Sequence, residues 1–213
     1  MRQLFHGDLE QLGRGLASMC GQAADALDDA SGALLDTDLA RAERVIGNDS
    51  TLDTSRARWA EHAERLLALQ APVARDLRRV VTGIQIADKI ERMGDLARHV
   101  AEVARRRHPE RAVPDPLVEP FREMCRLAVG LARNVQQTIT SPEQARPEQR
   151  ERDDDRIDQL HHTLLAGLDD LTGPHPVRTA IDVALLARFV ERFADQAVAI
   201  SRRLDYIHTG APH

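Results

Sequence analysis

Eight acidic residues recur at a spacing that gathers carboxylates: Asp49 with Asp53, Glu91 with Asp95, Asp154 with Asp158, and Glu191 with Asp195. Four residues on a helix is about one turn, so each pair shares a face, roughly 5.4 Å apart along the axis. Each pair also falls on or beside an apolar stripe. One stripe runs through positions 45, 49, 52, 56, 59 and 63, and another through 77, 80, 84, 87 and 91. Asp49 and Glu91 thus take core-facing places, with Asp53 and Asp95 beside them. Later in the chain, Asp154 and Asp158 flank Ile157, Leu160 and Leu164, while Glu191 and Asp195 follow Val177, Ile181, Ala184 and Ala187. Clustered carboxylates repel, and partly buried charge is costly unless protons, arginines or cations offset it. Arg56, Arg92 and Arg192 are the arginines close in sequence for such pairing. The recurrence of one spacing in four segments favours cation binding over arginine pairing. An all-oxygen donor set suits hard divalent ions, Mg²⁺ or Mn²⁺ first, with iron or zinc as alternates.

The elements that must carry these residues follow from periodicity. Phe5, Leu9, Leu12, Leu16, Met19, Ala23, Ala26, Ala30 and Leu34 alternate spacings of four and three, which predicts one long helix. Asp36-Thr37-Asp38 supplies a break and an N-cap. A second stripe runs from Ala42 to Leu67, Pro72 breaks it, and a third runs from Leu77 to Val103. The expected fold is all-α: a tandem repeat of two antiparallel three-helix bundles, six long helices in all. The first repeat covers 1–108, a Pro-rich linker 109–114, and the second repeat 115–213.

The repeat is visible as residue correspondence. A shift of 105 lays Met19-Cys20 on Met124-Cys125 and Leu52-Asp53 on Ile157-Asp158. A shift of 100 lays Arg78 on Arg178, Glu91-Arg92 on Glu191-Arg192 and Asp95 on Asp195. Five residues are therefore lost in between, at the second hairpin. Ser141-Pro142-Glu143 reads as the start of a helix, and Gly173-Pro174-His175-Pro176 as the last turn. In an antiparallel hairpin, residues equally far from the turn lie level. Asp49 pairs with Asp95 and Asp53 with Glu91 about Pro72; Asp154 pairs with Asp195 and Asp158 with Glu191 about the second turn. Each bundle then holds four carboxylates in two rows. His99 and Glu102 extend the first group, whereas Ala199 and Arg202 stand at those places in the second, so the first site is the better furnished.

Composition narrows the function. Of 213 residues, 42% are hydrophobic and 30% charged, which provides for a buried core. A net charge of −5 excludes a globally basic nucleic-acid binder. Cys20 and Cys125 sit within helical stripes and are expected as buried free thiols. No apolar run approaches the roughly 20 residues of a membrane span. His161-His162 lacks a second ligand pair, and Asp153 and Asp155 fall on the solvated face. Phosphate-loop, Ser-His-Asp and Cys-x-x-Cys patterns are absent.

With these motifs the chain resembles the PhoU family of bacterial phosphate-signalling proteins. The resemblance rests on Met1-Arg2-Gln3-Leu4-Phe5-His6, on Val45 through Asp53, on Pro72 through Arg78, and on Glu91 through Glu102 with its second copy from Glu191. Tyr206-Ile207-His208-Thr209-Gly210 fits as well. It implies a cytoplasmic helical regulator, not an enzyme, and a homodimer. The implied partners are a phosphate ABC transporter and a membrane sensor histidine kinase, with starvation signalling restrained when phosphate is ample. It assigns metal binding to Asp49, Asp53, Glu91, Asp95, Asp154, Asp158, Glu191 and Asp195. Two other classes remain: a carboxylate-bridged di-metal enzyme, and a structural bundle whose carboxylates are met by arginines.

Overall fold

The computed structural model describes residues 2–169, 171–172 and 175–209. Six α-helices account for most of them: α1 (Arg2–Asp36), α2 (Leu39–Gln70), α3 (Ala74–Arg107), α4 (Asp115–Thr140), α5 (Pro147–Ala166) and α6 (Pro176–Thr209). No strand occurs among the described residues. α1, α2 and α3 pack on one another, as do α4, α5 and α6, which gives two antiparallel three-helix bundles in tandem. α1 also packs on α4 and α3 on α6, so these four helices enclose a common core while α2 and α5 lie outside.

Local chemistry sets the helix ends. The Asp38 carboxylate accepts the Arg41 N–H at 3.0 Å and caps α2, while Thr37 takes the left-handed conformation that reverses the chain. Small residues let the helices close. Ala23, Ala30, Ala87, Ala97, Ala101, Ala128, Ala132 and Ala197 are fully buried, with Phe121, Phe193, Met19, Met93 and Met124 between them as the bulky fillers. Cys20 and Cys125 are free and buried, the former donating its S–H to the Ala132 carbonyl at 3.2 Å. Burial pushes the Cys20 thiol up to about 12, which leaves it unreactive near neutral pH.

Three expectations need correction. Leu77 and Val81 are exposed, and so are Val177 (72%) and Ile181 (55%). The line through Leu77 and Val81 continues along α3 as Gln85, Asp88 and Arg92, all exposed, so it lies on the outer face. Ser141 does not start α5. Pro142–Gln144 is an isolated 3-10 turn, Ser141 makes no side-chain cap, and the helix begins at Pro147, whose fixed φ suits a first turn. The five lost residues come from the helix rather than the turn, because α5 ends nine residues after Ile157 and α2 eighteen after Leu52. Gly173 and Pro174 lie outside the described residues. The linker between α3 and α4 is itself packed, with Ala112 and Val113 1% and 3% exposed.

Antiparallel contacts join α3 to α6. Arg106 reaches the buried Asp182 carboxylate at 2.7 Å, with Arg107 at 3.7 Å from its other oxygen. His99 lies 5.1 Å from Phe189, and further along Lys89 meets Gln196 and Arg203 meets Gln85.

Candidate metal centres

The first acidic group forms where α2 crosses α3, and Gly94 permits the crossing. A Cβ there would stand 2.5 Å from the Leu52 Cδ1, so glycine lets Leu52 sink against α3 in this rotamer and a larger residue would turn its tip aside. Leu52 is buried between Asp49 and Asp53, and Gly94 precedes Asp95. The close approach thus brings the two carboxylate pairs to face each other. Asp49 feels the charges of Asp95 and Asp53, and Glu91 feels those of Asp95 and Asp53. Asp49 and Asp95, and Asp53 and Glu91, are thus near enough to act on each other through their charges. Burial is the main cause that raises Asp49 and Glu91 above the usual carboxylate range, and the neighbouring carboxylates add to it.

Arg98 enters this group, one turn beyond Asp95. Its Nε lies 2.8 Å from Asp49, its Nη2 3.1 Å from Asp95 and its Nη1 2.6 Å from Glu102. Burial lowers the Arg98 pKa, but its bonds to Asp95 and Glu102 and the Asp49 charge more than reverse this, so its pKa is raised. Arg56 turns to Asp88 instead, at 3.0 Å. His99 faces Phe189 on α6, so it does not extend the acidic group as expected, and Glu102 belongs to Arg98.

The second group differs. Asp154, Asp158 and Asp195 act on one another: burial, then Asp158 and Asp195, raise Asp154, while burial and Asp158 raise Asp195 against Arg188. None of the three makes an ion pair within 4 Å among the described residues, although Arg202 acts on Asp154 and Asp195 through its charge. Glu191 stands apart. Both its oxygens accept from Arg188 Nη1, at 2.7 and 2.6 Å. Asp153 bonds Gln149 and stays off the group, as its face predicts. His162 takes up the Asp158 carbonyl at 2.7 Å, and its ring meets His161 edge to face.

The donors are carboxylate oxygens, the chemistry that hard divalent ions prefer. Burial first, and neighbouring carboxylates second, hold Asp49, Glu91, Asp154 and Asp195 above the usual carboxylate range. As arranged, however, no three His, Cys, Asp or Glu side chains among the described residues form a ligand set for a metal ion. In the first group a guanidinium stands where a cation would. Sequence reasoning missed both Arg98 and Arg188. The signal available was spacing, because each lies three residues from an acidic site residue, Asp95 or Glu191, on the same helix.

Fold and site together define a class: a duplicated three-helix bundle with one acidic group per repeat. The PhoU domain family matches residues 16–104 and 121–204. The chain belongs to that family. It is 46% identical over 211 residues to "Phosphate-specific transport system accessory protein PhoU homolog 2" of Mycobacterium tuberculosis (strain ATCC 25618 / H37Rv), covering 99% of each chain. It is 44% identical to a PhoU homolog 1 of Mycobacterium leprae, covering 99% of this chain and 95% of that one. Among solved structures, PhoU from Pseudomonas aeruginosa superposes with a TM-score of 0.85 at 23% identity, covering 97% of this chain and all of that one. The PhoU from Streptococcus pneumoniae gives 0.80 at 22%, covering 97% and 98%. These two likenesses show the fold.

Proposed function

We propose that this protein is a cytoplasmic, non-enzymatic regulator of phosphate transport that binds divalent metal at its two acidic groups. In this reading it acts as a homodimer, links a phosphate ABC transporter to a sensor histidine kinase, and restrains starvation signalling when phosphate is ample. Membership of the PhoU family supports the transport role, since the relatives are named accessory proteins of the phosphate-specific transport system. The metal half rests on one observation: two groups of carboxylates that repel one another and are held above their ordinary range.

Asp49, Asp53, Glu91 and Asp95 would hold an ion in the first repeat, and Asp154, Asp158, Glu191 and Asp195 in the second. A bound divalent cation would supply the positive charge these groups want. In the first repeat it must compete with Arg98 for Asp49 and Asp95, and in the second with Arg188 for Glu191. A second reading is favoured by those same contacts, namely a bundle whose acids are met by guanidinium alone.

Thermal melts separate the two. Protein stripped with chelator and then supplied with Mn²⁺ or Mg²⁺ should melt several degrees higher, because a ligand bound only to the folded state stabilises it. Glu91→Ala with Asp95→Ala should remove the gain from the first repeat. An unchanged melting temperature at millimolar metal would leave the guanidinium reading.

A further inference from the structure

Beyond the acidic groups, the contact of α3 with α6 carries a cluster of opposite sign. Lys89, the one lysine of the chain, lies half-buried there. Its Nζ donates to the Gln196 Oε1 at 3.1 Å. Arg203, one turn along, donates from Nε to the Gln85 Oε1 at 3.2 Å and from Nη1 to the Ala199 carbonyl at 3.2 Å. Arg203 and Arg92 stand near enough to repel the partly desolvated Lys89 ammonium. Neither Lys89, Arg92 nor Arg203 makes an ion pair among the described residues, although acidic residues outnumber basic ones in the chain, 34 to 29. The bonded partners of Lys89 and Arg203 are two neutral amides and a backbone carbonyl, whereas Arg92 is exposed and its charge acts on Glu91.

The duplication shows that the fold does not require this chemistry. The 100-residue correspondence maps Lys89 to Phe189, Arg203 to Val103, Gln196 to Leu96 and Gln85 to Leu185. At the mirror positions Phe189 packs beside His99 and Val103 is 2% exposed, while the charges of that crossing, Arg106 and Arg107, are answered by the buried Asp182. An apolar contact is thus a workable solution, and often at least as stable as a charged one. Four polar residues replacing four apolar ones at one of two related crossings point to a ligand rather than to packing.

We infer that Lys89 and Arg203, with the amides of Gln85 and Gln196, form a binding site for a tetrahedral oxyanion of the phosphate class. A lysine and an arginine from two packed helices would border it, each anchored by a glutamine of the other helix. The amide NH₂ groups of Gln85 and Gln196, whose carbonyls are already engaged, add neutral donors at its edge. Inorganic phosphate and a phosphomonoester share the required chemistry. The site is separate from the proposed metal centres and does not depend on them.

The test is a melt in matched ionic strength with chelator throughout, so that no metal-held phosphate contributes. The probes are 20 mM inorganic phosphate, 20 mM glycerol phosphate and a chloride control. Phosphate also stabilises proteins generally by exclusion from their surface, so the informative quantity is the difference between wild type and variant. Wild type should gain about 3 °C more than Lys89→Phe/Arg203→Val, which copies the mirror crossing. Of the two probes, the one giving the larger excess identifies the source. Equal gains in wild type and variant, or no gain above chloride, would overturn the site. Should the double variant fail to fold, ³¹P line broadening of the phosphate signal by wild type and by Arg203→Gln decides instead. Broadening lost in Arg203→Gln supports the site, and equal broadening overturns it.

Discussion

The two acidic groups began as copies and are now balanced differently. In the first repeat one guanidinium, Arg98, bridges Asp49, Asp95 and Glu102 between α2 and α3. In the second the corresponding positions carry Val198 and Arg202, so the bridge is gone, and Arg188 holds only Glu191, on its own helix. Asp154, Asp158 and Asp195 make no ion pair within 4 Å among the described residues, and Asp154 and Asp195 feel Arg202 only at a distance. The expectation that the first repeat is better furnished counted donors. The structure adds that its donors are also the more engaged, by Arg98; under the proposed metal binding, the second group would face less competition from guanidinium.

The comparison breaks most severely at Gly94. Gly94→Val would drive a branched side chain into Leu52 and should cost about 2–3 kcal/mol in urea melts, the range of core overpacking. It should also part α2 from α3 and abolish any metal gain from the first repeat. The second repeat already has Ala194 at this place, 1% exposed, so Ala194→Gly should cost about 1 kcal/mol through lost helix propensity and a small void. Equal losses at the two positions would show that Gly94 has no special part in the crossing.

Arg98 comes next. Arg98→Ala should destabilise the metal-free protein by about 1–2 kcal/mol, because Asp49 and Asp95 would lose their partner in a half-buried setting. The exposed, same-helix Arg188 should cost about 0.5 kcal/mol or less on removal. With Mn²⁺ present the order should reverse for the first repeat, where Arg98→Ala leaves the carboxylates free and raises the metal-dependent gain. An unaltered gain would show that guanidinium and cation do not compete.

The smallest effect is on pH dependence. Asp49, Glu91, Asp154 and Asp195 all have folded-state pKa values above the unfolded ones. In the window just above the ordinary carboxylate values, the folded chain therefore binds more protons than the unfolded chain. Stability from these groups falls as pH rises through that window, so metal-free protein should melt slightly higher near pH 5 than at pH 7. Mn²⁺ should flatten or invert the slope, since protons and metal compete for the same oxygens. A metal-free melting temperature that drops from pH 7 to pH 5 would count against net repulsion in the acidic groups.

Much of this was legible in the chain. Helical stripes and the two shifts were enough for six helices, and distances from Pro72 placed Asp49 level with Asp95. What escaped were features that depend on direction rather than spacing. His99 sits one turn beyond Asp95, yet its ring turns to α6, a choice set by Phe189 ninety residues away. Leu77 and Ile181 satisfy an apolar period but fall on the outer face of their helices, next to buried Val80 and Asp182 on the inner one. Ser141 has the composition of a cap, but the fixed geometry of Pro147 set the start of α5. Arg98 was quoted within the motif without its reach being seen, because a long side chain serves either its own helix or the next.

The buried stretch between α3 and α4 bears on how a message would travel. Ala112 and Val113 are tucked into the core and Asp182 is held by Arg106 and Arg107, so packed contacts tie the two repeats together at the midpoint. A swing of one half against the other would have to break them. Whatever loads one acidic face would instead be registered by the whole body, as a shift in charge or a small slide along the α3–α6 contact, presenting that altered surface to whatever sits against it.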